Sequence, residues 1–407
     1  MMSTVNEEKA RQVQEQLTVD FTDTAFGCFS SRHKFCREIC PVFQVTGNEQ
    51  HTSYGFHANI VAMSQNEATL ADVFDDYKHC LRCGACETRC PNTLFTGDFY
   101  LNRTRTTDVV AEVRAAAVEA GIEDSAWKKW AEDTIKYKNE MQGDPEKVAD
   151  WADDFNLPRG GDTILFCDCE AAFKRISVPK AIAKVLQLAG VEFGLMYDQW
   201  CCGGPLMEMG YRKEAEMFAR HNIDDWKRCG AKRIVTLDPH DYLTFKHEYP
   251  RYFPEAAEFE ILHITDLVDE LLQEGKLKFT HEVNKTVTYH DPCRLNKRGG
   301  IWESPRNILR AIPGLTFIDV DHITQWAYCS GGGGGLAQAK PELTKEISTR
   351  RVRAAENIGA EAIVSACVWS ERPLTERVKD GTTALEVYDI MDIVALAVGY
   401  DVLEGNI

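Results

Sequence analysis

Fifteen cysteines in a 407-residue chain constrain this protein more than any other feature, because they fall in tight groups at fixed spacing. The tightest is Cys80-x2-Cys83-x2-Cys86-x3-Cys90-Pro91. The opening MMSTVNEEKARQVQEQ lacks the apolar core of a secretory signal, so the expected setting is the reducing cytoplasm. There a disulfide framework is not expected, and clustered thiols point to metal binding.

The rest of the composition narrows the class. Hydrophobic residues make up 44% and charged ones 27%, ordinary for a globular chain, and the length suits two or three domains. A net charge of -17 argues against nucleic acid or anionic lipid as a direct ligand. No apolar run is long enough for a membrane span.

Residues 1–110 hold seven cysteines in two groups, and a polar stretch without cysteine, read as a helical connector packed on its neighbours, occupies 111–160. From about 161 strands and helices alternate: DTILFC, ISVPKAIAKVLQLAG, VEFGLMY, AKRIVTL. The alternation predicts α/β architecture with mainly parallel strands. It also contains a repeat. Cys169 is followed after 31 residues by Cys201-Cys202-Gly203-Gly204 and then GAKRIVTLDPHD. Cys293 is followed after 35 residues by Cys329-Ser330-Gly331-Gly332 and then GAEAIVSACVWS. Aligning Gly230 with Gly359 sets Asp238 opposite Cys367 and Asp241 opposite Ser370. The expected units are 161–280 and 281–407.

The run 80–91 resembles that of bacterial two-cluster ferredoxins, in which three thiolates on one loop grip a cube and the fourth, before proline, serves the other cluster. Gly84 lets the loop backbone approach; a zinc knuckle fits this run poorly. Crossed ligation assigns one 4Fe-4S cube to Cys40, Cys80, Cys83 and Cys86. The partner run is damaged: Cys28, Ser30, His33, Cys36, Cys40-Pro41. A second cluster would use Cys36 and Cys90, with Cys28 as third thiolate and His33 as fourth ligand. Alternatively His33 is solvated, and the cluster has three irons or a nonprotein ligand. Both remain open.

The repeat unit resembles the CCG domain, and the whole order resembles the D-type subunit of heterodisulfide reductase and its relatives. The likeness is carried by DQWCCGG (198–204), TVTYHDPCRLNKRGGIWESPRNILRAIPGL (286–315) and YCSGGGGG (328–335). It implies an N-terminal α-helical two-cluster ferredoxin-like domain followed by two repeated α/β CCG domains. In that family five cysteines per unit hold a noncubane four-iron cluster. Here the first unit keeps Cys169, Cys201 and Cys202, with Asp238 and Asp241 at the final pair. The second keeps Cys293, Cys329 and Cys367, with Ser330 and Ser370 replacing the other two. Oxygen ligands are harder and less donating than thiolates, so the unusual cluster is not expected, although three cysteines per unit still suffice for some iron–sulfur centre.

Other residues have plainer readings beside functional ones. Cys167 shares a face with Cys169 if the strand continues, as a further ligand or a buried thiol. Cys229 reads as core. Asp238, His240 and Asp241 could bind a hard or borderline metal such as zinc, though a helix N-cap by Asp241 is the expected role. His290 and Asp291 support Cys293 or shape the turn before Pro292. The glycine run 331–335 cradles an anion or lets backbones pack closely around a cluster. No GxGxxG stands between strand and helix, so this chain is not expected to bind NAD or FAD.

The resemblance implies an electron-transfer subunit of a multi-subunit redox complex of anaerobic metabolism. Its partners would be a flavoprotein or other iron–sulfur subunits, and it could feed an acyl-CoA or hydroxyacid oxidoreductase. The alternatives are a reductase acting on a disulfide or small substrate at the altered CCG sites, and a scaffold whose CCG units hold no metal.

Overall fold

The computed structural model describes residues 6–31, 33–91, 104–321 and 323–402. The N-terminal part is helical. In the helix Glu7–Ser30, Leu17, Phe21 and Ala25 recur every four residues and are buried. They join Phe56, Ile60 and Met63 of the helix Ser53–Ser64 in one core. A capping box at Thr69 and Asp72 starts the helix Leu70–Lys78, whose buried face is Leu70, Val73, Phe74 and Tyr77.

The stretch read as a polar connector contains the helices Thr106–Glu119 and Ser125–Tyr137. The first, which begins just before that stretch, packs closely on its neighbours. Val109, Val110, Val113 and Ala117 are fully buried, as is Arg114, and the helix packs on Glu7–Ser30, Leu70–Lys78 and Gly204–Met209.

Two parallel sheets follow. The first has the order β1 (Thr163–Phe166), β2 (Arg233–Thr236), β3 (Glu260–His263). The second contains β4 (Thr286–Tyr289), β5 (Thr316–Phe317), β6 (Ala362–Ser365) and β7 (Glu386–Asp389), in the order β5-β4-β6-β7. β1-β2-β3 and β4-β6-β7 correspond, as the sequence repeat requires. Where β5 lies in the second unit, the first has only isolated bridges, Ile164 to Gly194 and Arg159 to Leu195. The strand expected over VEFGLMY is therefore not formed. Gly194 runs so close to the 158–160 backbone that an added Cβ would lie 2.1 Å from the Gly160 carbonyl oxygen.

Apolar strand residues such as Ile164, Leu165, Ile234, Val235, Val287 and Val364 are fully buried between helices on both faces. The helices Ser177–Leu188 and Ile390–Ala397, one from each unit, pack against each other. Arg175 at this seam pairs with Glu371 (2.9 Å) and Asp392 (3.5 Å) of the second unit. Among the described residues no helix is long and apolar enough to cross a membrane.

Candidate metal centre

Local backbone geometry gathers the N-terminal cysteines. Cys40 ends the helix Cys36–Ile39 and precedes Pro41, the first residue of Pro41–Thr46, with φ -71° and ψ 113°. Cys90 ends Ala85–Arg89 before Pro91 with φ -71° and ψ 122°. In both, proline forces the preceding cysteine out of the helical region and so ends the short helix before it. Between them the loop after Lys78 coils through positive φ at Arg82 (49°) and Gly84 (73°). The coil aims the Arg82 amide at Cys80 Sγ (3.3 Å).

Cys40, Cys80, Cys83 and Cys86 line one cavity, with Val42, Phe56 and Leu81 as apolar walls. Burial raises the Cys80 thiol to about 11, opposed by the nearby Arg114 and Arg82 charges. Burial also pushes Cys40 and Cys86 well up. Cys83 is raised first by its contact with the Cys329 thiol, then by burial. Such thiols favour the thiolate form only when a metal replaces the proton. Four sulfurs around one largely apolar cavity fit a cubane iron–sulfur cluster.

Beside this set lie Cys28, Cys36 and Cys90. Burial takes Cys28 to about 12, with the proximity of Cys36 and Cys90 adding to it. His33 stacks on Phe35, with ring centroids 5.4 Å apart, and its Nε2 is buried with no hydrogen-bond partner. The Ser30 side chain lies outside what the structure describes.

In the first repeat unit β1 stops at Phe166, so Cys167 and Cys169 do not share a strand face. Cys167 is a buried thiol whose Sγ lies 3.7 Å from the Asp168 carbonyl oxygen. Asp168 caps the helix Cys169–Phe173, and Cys169 is its first residue. Two backbone amides point at the paired thiols: Gly203 N to Cys201 Sγ and Gly204 N to Cys202 Sγ, each 3.4 Å. Glu140, Cys169 and Cys201 place ligand atoms within 4.8 Å of one another, and Cys202 lies between Cys201 and Asp241. Burial, then Asp168, holds the Glu140 carboxyl well above its usual range. Glu140 lies outside the repeat, in the polar stretch, and no sequence signal marked it.

Asp241 is not the helix cap. Asp238 caps Pro239–Leu243, accepting from His240 N at 2.7 Å, while Asp241 is buried beside Cys202. The signal was present in the sequence, since proline favours the first helical position and directly follows Asp238.

The second unit divides its three cysteines. Cys293 Sγ and Cys329 Sγ are 4.0 Å apart, and Gly331 N lies 3.5 Å from Cys329 Sγ. Cys329 also contacts Cys83 of the N-terminal set. Cys367 instead meets His240 and Asp238 of the first unit. The buried residues Ser330 and Ser370 and the carboxylates Asp238 and Asp241 do not fit a five-thiolate cluster in either unit. His290 accepts from Arg351 Nε (3.0 Å), and Asp291 is held by both Arg306 amino groups at 2.8 Å. These contacts fix the turn before Pro292. Cys229 closes Arg212–Cys229 as core, its Sγ 3.7 Å from Asp225 Oδ2. All fifteen cysteines are free.

The glycine run is a packing device. Gly334 (φ 65°) lies against the N-terminal loop, where an added Cβ would sit 2.6 Å from the Cys80 carbonyl oxygen and 2.7 Å from Leu81 Cα. Gly334→Ala is expected to cost about 1–3 kcal/mol by combining this clash with a left-handed φ. Chemical denaturation checks it, and Gly359→Ala, also left-handed but with open space around its Cβ, is expected to cost less.

Residues 25–94 match the 4Fe-4S dicluster domain family, and 164–246 and 287–369 each match the cysteine-rich CCG domain family. The chain belongs to the family of iron–sulfur proteins that join a 4Fe-4S dicluster domain to paired CCG domains, and it is homologous to the D-type subunit of heterodisulfide reductase. One relative is the D-type subunit of the dihydromethanophenazine:CoB–CoM heterodisulfide reductase of Methanosarcina acetivorans. It is 28% identical over 389 residues, covering 90% of this chain and 93% of that one. Another is the B-type subunit of the fumarate reductase (CoM/CoB) of Methanothermobacter marburgensis, 25% identical over 97% of this chain and 77% of its own. A hypothetical protein from Helicobacter pylori shares the fold with a TM-score of 0.54 at 12% identity, covering 75% of this chain and 60% of that one.

Proposed function

We propose that this chain is the electron-transfer subunit of a larger cytoplasmic oxidoreductase complex, working beside a flavoprotein or another iron–sulfur subunit. The observation that carries the reading is the cavity shared by Cys40, Cys80, Cys83 and Cys86, with Cys83 in contact with Cys329. A cube bound there accepts and releases single electrons. The four thiolates hold it, the apolar walls exclude water, and Arg82 and Arg114 offset part of its negative charge. Cys28, His33, Cys36 and Cys90 form the neighbouring site, with the unpartnered His33 Nε2 as its nitrogen ligand.

The contact from Cys83 to Cys329, and the 4.0 Å from there to Cys293, give electrons a short way into the second CCG unit. Cys169, Cys201 and Cys202, with Glu140, make a further iron–sulfur site of modest nuclearity in the first. Such a chain of sites supports passage of electrons to a partner that holds the substrate.

Anaerobic purification with iron and acid-labile sulfide counts tests this. About eight irons per chain are expected from the N-terminal sites, and more if the CCG units contribute. A colourless, iron-poor preparation would overturn the reading. Cys169→Ala is expected to lower iron while leaving those eight in place; unchanged iron would make the first CCG unit a metal-free scaffold.

A second reading, direct reduction of a disulfide or other small substrate, draws on a cavity lined by Tyr328, Cys329, Ile347, Arg350 and Arg351. It requires turnover of a disulfide by the reconstituted chain alone with a reduced viologen, and no turnover leaves the relay.

A further inference from the structure

The second repeat unit sets two of its cysteines face to face and turns the third away. Cys293 Sγ and Cys329 Sγ lie 4.0 Å apart. Their equivalents in the first unit, Cys169 and Cys201, form one group with Glu140 and have Cys202 beside them. The second unit carries the buried Ser330 in the place of Cys202. Its third cysteine, Cys367, faces the first unit, where its Sγ accepts from Ser370 N (3.3 Å) and meets His240. Among the described residues no third Cys, His, Asp or Glu ligand atom lies within 4.8 Å of both Cys293 Sγ and Cys329 Sγ. Two thiolates alone are a poor ligand set for an iron–sulfide fragment or a single ion, but they are all that a dithiol needs.

The pair is held in place from both sides. Cys293 leads into a π-helical turn, Arg294–Arg298, a geometry that recurs at functional sites. Side chains stitch this turn to the loop that bears Cys329. The buried Lys297 ammonium donates to the Ala327 carbonyl (2.6 Å), and the Asn296 amide donates to that of Thr324. From the other side Gly331 N points at Cys329 Sγ (3.5 Å), and Leu336 and Ile347 pack around it. The sulfurs stand about 2 Å beyond the bond length of a disulfide. Cys293 is only half-buried, so its side chain can close that distance.

We propose that Cys293 and Cys329 form a redox-active dithiol, opened and closed as a disulfide by electrons that pass through Cys83. Opening breaks the S–S bond, takes up two electrons and two protons, and leaves two thiols; closing forms the bond and releases them. Cys329 touches Cys83, which lines the N-terminal cluster cavity, so electrons reach the pair one at a time. The first gives the disulfide radical anion, and the second, with the protons, completes the cleavage. The reduced flavin or iron–sulfur centre of the partner subunit is the donor, and its oxidised form takes the electrons back on closing. That supply is all the dithiol takes from the relay reading. Protons enter beside Cys329 along the cavity of Tyr328 and the exposed Arg350. The chain thereby receives electrons singly and holds them as a pair together with protons.

The test uses the full chain, purified without oxygen and equilibrated with mixtures of glutathione and glutathione disulfide. Free thiols are then alkylated with iodoacetamide and the peptides weighed. A linked Cys293–Cys329 peptide pair is expected, appearing over a transition of two-electron slope while iron and sulfide counts hold. Titrated with reduced methyl viologen, this oxidised protein should take up two more electrons per chain than Cys293→Ser treated alike. Cys293→Ser and Cys329→Ser should keep their iron and sulfide, which also reports that they fold. Cys40→Ala should still form the link, but its re-reduction by the viologen should slow at least about tenfold for want of the cube. The proposal falls if no mixture links the pair, or if Cys329 links to Cys83 in its place. It falls equally if either serine variant loses iron and sulfide, which would make the pair cluster ligands, or if Cys40→Ala is re-reduced as fast as wild type. Iron-poor wild type that still forms the link would sink the relay reading and leave the dithiol standing.

Discussion

Replacing Cys40 by alanine is expected to abolish the same iron–sulfur centre as replacing Cys80, although forty positions separate them and Cys36 is much nearer in sequence. Both variants should fall from about eight irons to about four in the N-terminal part and lose the same reduced-state EPR signal. Cys36→Ala and Cys90→Ala should spare that signal and remove the other. The reason is geometric. Pro41 and Pro91 each put the cysteine before them into an extended conformation, which closes one short helix and crosses to the other run. Cys40 therefore lines the cavity of Cys80, Cys83 and Cys86, while Cys90 sits with Cys28 and Cys36. If Cys40→Ala extinguished the signal that Cys36→Ala extinguishes, ligation would be uncrossed and the assignment of both centres would fail.

The legible part of this chain was the part written in local spacing. The run 80–91 places three thiols on one coil, and the repeat, with copies about 128 residues apart, foretold two sheets of matching strand order. Contacts made by distant residues were not legible. Glu140 reaches Cys169 and Cys201 from a polar segment whose charges resemble any solvated helix. The alignment made Asp238 and Cys367 equivalent, but equivalence within a repeat does not say that the two copies meet at that point. The division of the second unit's cysteines, Cys329 toward Cys83 and Cys367 toward His240, follows from how the units are packed. Over 191–197 the backbone makes only isolated bridges, and the close approach of Gly194 to the Gly160 carbonyl depends on its lack of a side chain. Spacing rules see neither.

Arg114→Met is expected to be among the most damaging single substitutions outside the cysteines, because one fully buried guanidinium joins all three parts of the chain. It donates to the carbonyls of Tyr77 (2.7 Å) and Cys80 (2.7 Å) in the N-terminal loop, of Glu208 (2.9 Å) in the first repeat unit, and of Gly334 (2.8 Å) in the second. Its charge rests on the Trp127 ring, 4.7 Å from the centroid. Methionine fills much of the same volume but donates nothing, leaving the buried carbonyls of Cys80, Glu208 and Gly334 without this donor, while the Tyr77 carbonyl keeps only the Cys80 amide at 3.3 Å. The expected loss exceeds about 3 kcal/mol, read as the shift in denaturant midpoint at constant slope. A second consequence separates electrostatics from packing. The cation beside Cys80 favours the more negative, reduced state of a bound cluster, so its removal should move that reduction potential to more negative values. Arg114→Lys keeps the charge but cannot reach four carbonyls, and should restore most of the potential while recovering little of the stability. Equal potentials in the Met and Lys variants would show that Arg114 acts only as a structural tie.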